Sequence, residues 1–439
     1  MFDRETFILL LKDEMVQRRE EGCEVDQILS EFTRLGSVAS EQELMGISER
    51  LESLPASSSF PYREPSELEE IRRQRPAGPR KFDLNITDTE LQDKMYAGWL
   101  GRCVGCMLGK PVEGWSKEKL KKYLQLADAY PLVDYIPEVV PHPAGYEMQE
   151  NAYENQVRGK IAYVARDDDL DYTVINLQVI ERSGLGFTPY DVAETWLTRM
   201  PYKMTYTAER AAYRNLVNDV NWPKTATYMN PYREWIGAQI RADVWGYAAP
   251  GNPELAATLA YRDASLSHVK NGIYGEMFVA AMISAAFATN EVDQIVLAGL
   301  SEIPESSRLA ETVRNALKWA RQSSTWEEAW DKVIQKYGSY SWMHTINNAA
   351  IVILGLVYGE HNFQKGIAVS VLSGLDNDCD GATCGSILGA VLGSGKLKPN
   401  WIEPLNDRLK TAVFGFLDCR ISDLAKRTFL VAKRLKSEV

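Results

Sequence analysis

The chain has 439 residues, a formal net charge of -11 and a hydrophobic content of 45%, which is enough for a large buried core. Its acidic balance, without a Lys/Arg run that could follow a phosphate backbone, argues against nucleic acid as a partner. No uncharged apolar stretch approaches the roughly 18 residues of a membrane span, the first residues lack signal-peptide anatomy, and six Cys do not make a disulfide scaffold, so we expect a cytoplasmic protein without membrane contact.

The first 85 residues are predicted to form an extension. Charged, amphipathic helices are expected from Phe2 to about Leu54, followed by a Pro-rich linker that ends near Arg75-Pro-Ala-Gly-Pro. A boundary near residue 85 divides the chain into a helical N-terminal extension (1–85) and a main domain (86–439). The extension is interpreted as a solvated appendage, with a lid or substrate-binding arm as the alternative.

Two glycine ridges indicate helices that cross at close range. Each mid-helix Gly costs about 1 kcal/mol relative to Ala, so a row of them must be compensated by close backbone contact. Residues four apart share one helix face, and both helices are therefore expected at the centre of the fold. The ridges are Gly101, Gly105 and Gly109, followed by Glu113, and Gly381, Gly385, Gly389 and Gly393.

Helical patterns dominate the rest of the chain. The segment Trp115–Arg158 has no clean period and is predicted to be a long irregular insertion near one mouth of the core. Alternation typical of strands is scarce, so we predict a compact all-α fold. The predicted helices include Asp169–Arg182, Pro189–Arg199, Glu254–Ser265, Asn271–Ala288, Asn347–Tyr358 and Thr383–Leu392.

An acidic run, Asp167, Asp168, Asp169 and Asp171, precedes one of these helices. A single Asp is enough to cap a helix N-terminus, and four within five residues repel one another. The run therefore forms either an elaborate cap on an exposed turn or a site for a cation.

A second cluster, Asp376, Asp378 and Asp380, leads into the second glycine-ridged helix. A calcium-binding loop would need a Glu where Ile387 stands. Glu113 adds a carboxylate at the end of the first ridged helix. If these groups converge, their charge needs compensation, and oxygen ligands suit Mg²⁺, Mn²⁺ or Ca²⁺.

Polar residues near other helix starts are candidates for substrate contact. They are His268, His344, Asn347 and Asn348. The backbone N–H groups at the start of the helix that follows His344 would suit an anion. The alternative for each residue is a capping or satisfied core group.

Four ordered segments resemble the motifs of the ADP-ribosylglycohydrolase family, which includes dinitrogenase reductase-activating glycohydrolase. They are Gly98–Glu113, the Asp167 run, Asp263–His268 and Gly374–Gly393, and the resemblance spans roughly residues 89 to 400. It implies a compact, all-α, multi-helix orthogonal bundle with a two-metal centre that removes ADP-ribose from modified side chains or small acceptors.

The resemblance also implies roles, with departures that indicate a divergent branch. The family's Thr/Ser-Asp-Asp motif maps onto Asp167–Asp169, with Asp in place of Thr. Its Asp-x-Asp-Thr motif maps onto Asp376, Asp378 and Cys379, where the thiol replaces a ligand hydroxyl and Asp380 is the candidate substitute. The predicted metal ligands are therefore Asp167, Asp168, Asp169, Asp376, Asp378 and Asp380. Glu113 is expected to position or activate water, with Asp378 or Asp380 as the alternative base.

The predicted function is metal-dependent hydrolysis of the glycosidic bond of an ADP-ribosylated protein side chain or a related ribosylated small molecule. Two divalent cations are expected, with Mg²⁺ as first choice and Mn²⁺ as second. The sequence does not indicate the acceptor or the oligomeric state.

Three alternatives remain open at this point. One is a catalytically silent protein on the same fold that binds ADP-ribose. Another is a class I terpene synthase, because Asp167-Asp168-x-x-Asp171 matches its metal motif, although its second motif is missing. The third is a zinc module, with thiolates from Cys103, Cys106, Cys379 and Cys384.

Overall fold

The computed structural model describes residues 3–36 and 39–438, and the regular secondary structure of this part of the chain is almost entirely helical. The predicted all-α fold is confirmed, with one short antiparallel pair of strands added. In chain order the elements are α1 (Arg4–Glu20), α2 (Asp26–Leu35), α3 (Glu41–Ser53), α4 (Leu68–Gln74), α5 (Asp88–Gly109), α6 (Lys117–Leu126), α7 (Ala152–Asn155), α8 (Asp168–Ser183), α9 (Pro189–Arg199), α10 (Thr207–Val217), α11 (Asp243–Ala248), α12 (Pro253–Ala264), α13 (Lys270–Ala286), α14 (Val292–Leu300), α15 (Arg308–Gln322), α16 (Trp326–Tyr337), α17 (Thr345–Tyr358), α18 (Phe363–Leu372), α19 (Asn377–Leu392), α20 (Pro399–Ile402), β1 (Arg408–Lys410), β2 (Asp418–Arg420) and α21 (Ile421–Lys436).

The insertion Trp115–Arg158 is less irregular than predicted. It contains α6, in which Ser116 accepts a hydrogen bond from Lys119 N at 3.2 Å and so caps the first turn. Leu120 and Leu124 share one buried face of this helix, a spacing that the many lysines around it obscured. The prediction of irregular structure was therefore wrong for α6.

The first three helices form a hydrophobic cluster of their own, separate from the main core. Phe7, Leu11 and Met15 of α1 pack there with residues of α2 and α3. The boundary near residue 85 stays a prediction, and Phe2, where the predicted helical segment begins, lies outside the described residues.

The helices α5 and α19 cross at the centre through their glycines. A Cβ on Gly105 would lie 1.9 Å from Gly381 O, and a Cβ on Gly101 would lie 2.0 Å from Gly385 O. At Gly109 it would lie 2.3 Å from Asn377. These distances leave no room for any side chain, so the end of α5 is held against the start of α19.

One glycine does not belong to the predicted ridge. Gly393 has φ +77° and terminates α19, a conformation that glycine adopts without steric cost. The start of α19 also differs from the prediction: the helix begins at Asn377 rather than Thr383, because the acidic residues themselves form its first turn.

Candidate active site

The acidic run at the start of α8 divides into groups with different partners. Asp167 is the N-cap, and its carboxylate accepts a hydrogen bond from Asp169 N at 3.0 Å. The same carboxylate forms an ion pair with Lys110. Asp171 is held elsewhere, by Arg166 Nε at 2.7 Å and Ala412 N at 2.8 Å.

The position of Asp171 argues against the terpene synthase alternative. That metal motif needs its third Asp at the metal, whereas the Asp171 carboxylate is already occupied by Arg166 and Ala412. The thiols of a zinc module do not gather either. Among the described residues, Cys106 and Cys379 fall in separate ligand groups, each with two Asp carboxylates.

Asp378 is the common member of three ligand groups. In each group the donor atoms lie within 4.8 Å of one another. The glycine crossing explains the convergence, because it places the end of α5 beside the start of α19. The groups are Cys106 with Asp167 and Asp378, Asp169 with Asp378 and Cys379, and Glu113 with Asp376 and Asp378.

The carboxylates of these groups carry more negative charge than their surroundings compensate. The charge of Asp378, followed by burial, raises the pKa of Glu113 to about 9. Burial and the charge of Asp167 raise the pKa of Asp378 to about 7, and burial raises that of Asp168 to about 6. Oδ1 of Asp376 and Oδ1 of Asp378 are buried without a hydrogen-bond partner among the described residues. Orphaned buried oxygens of this kind fit a bound cation.

Asp169 is oriented by a buried arginine. Arg102 donates from Nη2 to Asp169 Oδ1 at 3.1 Å and forms an ion pair with Asp243 at 2.7 Å. On its other side, Asp169 accepts a hydrogen bond from the Cys379 thiol, with Sγ and Oδ2 separated by 3.2 Å. The Cys379 thiol therefore lies at the ligand cluster, and its correspondence with a family hydroxyl stays a prediction.

Asp380 lies outside the three ligand groups. Its side chain is completely buried, and neither carboxylate oxygen has a hydrogen-bond partner within the described part of the chain. Burial, followed by the charges of Asp378 and Asp169, raises its pKa well above the ordinary value. The structure thus gives Asp380 a buried position outside the ligand groups, and its role as a ligand stays a prediction.

A cavity of about 780 Å³ opens over this cluster. Its floor includes Lys110, Glu113, Asp167, Asp168, Asp376 and Asp378. Aromatic and apolar groups form part of its walls: Tyr163, Tyr206, Trp235, Ile236, Ile240, Trp342 and Met343. Other lining residues come from the second half of the predicted insertion, namely Gln149, Glu150, Asn151, Glu154, Asn155 and Gln156, and include Arg166, Glu209 and Lys410.

The predicted substrate residues do not line this cavity. His344 caps α17, with Nδ1 accepting from Ile346 N at 3.1 Å, and Asn347 donates to Ser341 O at 2.9 Å. Asn348 Oδ1 accepts from Asp376 N at 3.2 Å, so it positions a predicted metal ligand. Their capping and supporting contacts match the alternative stated for them, while direct substrate contact stays a prediction.

Glu209 is a cavity residue that the sequence did not reveal. Its carboxylate accepts a hydrogen bond from Arg241 Nη1 at 2.8 Å, and Arg241 in turn contacts Asp263 Oδ2 at 3.1 Å and Ser267 Oγ at 3.1 Å. His268 completes the network through Ser267 Oγ at 2.8 Å. The motif Asp263–His268 therefore supports Glu209 through Arg241, a link that the sequence alone does not show.

Metal-free protein is expected to lose stability as the pH rises. In the unfolded chain these carboxyls have pKa values of about 4, whereas the folded-state pKa values of Asp378 and Glu113 are about 7 and about 9. Burial of these carboxyls therefore costs no folding free energy below the unfolded pKa. The free energy of unfolding falls as the pH rises from there through the folded pKa values. Thermal unfolding in EDTA should show a falling Tm over this range, and excess Mg²⁺ should raise Tm most at the alkaline end. An equal Mg²⁺ effect at both ends would contradict this account.

Comparisons with known proteins show what the chain is similar to. The ADP-ribosylglycohydrolase family model matches residues 87–437. An uncharacterized protein of Archaeoglobus fulgidus is 23% identical over 327 residues, 72% of this chain and 93% of that relative. A solved structure named "ADP-ribosylglycohydrolase-related protein complex" aligns with a TM-score of 0.48 and 18% identity over 79% of this chain and 99% of its own. No described helix is both long and apolar enough to cross a membrane. Since the family match covers most of the sequence, the chain belongs to the ADP-ribosylglycohydrolase family.

Proposed function

We propose that the protein is a divalent-cation-dependent hydrolase that cleaves the glycosidic bond of an ADP-ribosylated protein side chain or a related ribosylated small molecule. Family membership supports a glycohydrolase type of activity. The observation that carries the metal dependence is the sharing of Asp378 by three ligand groups at the base of a cavity.

The ligand groups suggest which side chains hold the cations. Asp167, Asp376 and Asp378 combine cavity exposure with membership of a ligand group, and Asp169 joins them from the interior. When bound, two cations would orient ribose hydroxyls and lower the pKa of a bound water. Mg²⁺ is the first choice for a carboxylate-rich site and Mn²⁺ the second.

Glu113 is the best-placed base. It belongs to the ligand group of Asp376 and Asp378 and lines the cavity. Its raised pKa comes first from the charge of Asp378, so neutralising that charge returns Glu113 toward the ionised form. The carboxylate can then accept a proton from water as the water oxygen bonds to the anomeric carbon. The bond to the leaving group breaks through an oxocarbenium-like state, and the leaving group takes the bonding electrons.

Lys110 stabilises the arrangement from one side. Its ammonium pairs with Asp167, and although burial alone would raise the pKa of Asp167, Lys110 keeps it below the ordinary value. Asp167 therefore differs from Asp168, Asp378 and Glu113, whose pKa values are raised.

Metal removal tests the proposal. Hydrolysis of ADP-ribosyl-arginine, ADP-ribosyl-serine and ribosyl compounds should be lost after EDTA treatment and dialysis, and should return with Mg²⁺ or Mn²⁺ in proportion to site occupancy. Product release measured by chromatography and metal binding measured by calorimetry provide the two readouts. Undiminished turnover by metal-free protein would falsify the metal dependence. Tight ADP-ribose binding without turnover of any substrate would instead favour the catalytically silent alternative.

A further inference from the structure

The N-terminal extension forms hydrogen bonds and ion pairs with residues 232–234, the segment that leads into the cavity wall. Arg233 of the main domain donates to both carboxylate oxygens of Glu14, at 2.7 and 2.9 Å, and from Nε to Glu21 at 2.9 Å. Tyr232 OH donates to Asp13 at 2.9 Å. All three acidic residues lie on α1 or immediately after it, so one helix of the extension holds two successive residues of this segment.

The next residue, Glu234, is held even more completely. Its side chain is fully buried and accepts hydrogen bonds from Gln17 Nε2 at 2.9 Å, Asn271 Nδ2 at 2.7 Å and Arg308 Nη2 at 2.7 Å. Arg308 also pairs with Glu64 at 2.7 Å. The extension thus reaches this carboxylate both directly, through α1, and indirectly, through the segment that contains Glu64.

These contacts are between ionised groups. Burial favours neutral Glu21, but Arg233 and Lys270 lower its pKa below the ordinary value. The pKa of Glu234 is likewise lowered by Arg308 against the effect of burial. Removing one member of a buried ion pair leaves the other charge uncompensated, which is strongly destabilising. Contacts with the extension therefore contribute to the conformation of residues 232–234, together with Asn271 and Arg308.

The cavity wall begins at the next residue. Trp235, Ile236 and Gly237 line the cavity together with Trp342 and Met343, and we call these five residues the indole wall. Ile236 N donates to Met343 O at 2.8 Å, which joins the two halves. A Cβ on Gly237 would lie 2.3 Å from both carboxylate oxygens of Glu209, so the position of the wall also limits where Glu209 can lie.

We propose that the extension positions the indole wall for substrate binding, and that Glu14 and Glu21 are positioning residues acting through Arg233. No described residue of 3–85 lines the cavity, so the extension works from behind the wall rather than as a lid over it. A solvated appendage would have no need of buried ion pairs to this segment. The effect on substrate affinity rests on the function proposed above, whereas the effect on the wall itself does not.

The test compares variants of the two positioning residues, Glu14 and Glu21, with a surface variant. We call the first two the clamp variants. Glu14→Gln weakens the partly exposed ion pair with Arg233, and Glu21→Gln weakens the buried one. If the Glu21→Gln protein does not fold, the Glu14→Gln protein still tests the proposal. Glu31→Gln is the matched control, because its pair with Arg50 at 2.8 Å lies on the exposed surface of the same extension. Hydrogen exchange of the full-length protein is followed in peptides covering 230–241 and 340–346, and in peptides of α5 and α19.

Both clamp variants should exchange about tenfold faster in the two wall segments, with α5 and α19 unchanged. The Kd for ADP-ribose should rise about fivefold to tenfold while the Kd for Mn²⁺ stays the same, and KM should rise with kcat nearly constant. Exchange that accelerates only within residues 3–60, or uniformly through the protein, would overturn the proposal. Failure of the wild type to bind ADP-ribose would refute the proposed function, and the exchange data would still decide the role of the extension.

Discussion

Asp378→Asn is expected to eliminate metal-dependent turnover. Asp378 belongs to all three ligand groups, so an amide there removes an anionic ligand from every one of them. We expect turnover to fall by about a thousandfold or more, in line with the share of catalysis that metal-assisted sites supply, and calorimetric binding of Mn²⁺ to weaken in parallel. Removing a carboxylate that burial disfavours should leave Tm of the metal-free protein unchanged or higher.

Two further variants show whether the effect is specific. Asp380→Asn changes a carboxylate on the same helix that lies outside the ligand groups and has a pKa well above its ordinary value, so we expect metal affinity to be retained. If instead Asp380→Asn reproduces the loss, Asp380 is the ligand that substitutes for the family's hydroxyl. Asp423→Asn, on the exposed start of α21, provides the surface control. Mg²⁺-dependent turnover by Asp378→Asn protein would remove the central support for the metal centre.

Glu113→Gln is expected to separate catalysis from binding. The amide keeps the shape of the side chain but cannot accept a proton from water, and positioned acid–base groups contribute about 10² to 10⁴ in rate. We therefore expect kcat to fall within that range while the Kd for ADP-ribose changes little. Single-turnover kinetics with saturating Mg²⁺ would measure the chemical step directly.

The matched control for Glu113 is Glu150→Gln. Glu150 lines the same cavity but is exposed and belongs to none of the three ligand groups, so its loss should alter kcat by less than about twofold, the size of a surface-charge effect. A Glu113→Gln enzyme with normal kcat would show that another group, with Asp378 as the first candidate, takes the proton.

The centre of the fold could be predicted because its signals are local and repeated. The four-residue spacing of Gly101 and Gly105 indicated close helix contact, and the structure confirms it against α19. The acidic residues at the starts of α8 and α19 were visible for a similar reason: several like charges beside a helix that is otherwise apolar need a physical cause.

Residues whose role depends on distant partners could not be predicted. Arg102 lies inside the glycine-ridged helix, and its ion pair with Asp243 spans residues far apart in the sequence. Glu209 belongs to a helix start of ordinary composition, and only the fold brings it to the cavity. The polar residues around His344 were visible, but the sequence could not decide between capping a helix and facing a substrate.

The crossing of α5 and α19 also bears on how such an enzyme can diverge. Where Gly101 meets Gly385 and Gly105 meets Gly381, the two backbones are in direct contact, so no side chain separates the two helices. Exchanges of volume among leucines and valines elsewhere in the core can then be absorbed without altering the spacing of the carboxylates at the helix ends. Residues at the rim of the cavity can then change, and substrate preference with them, while the distances between the carboxylates stay the same.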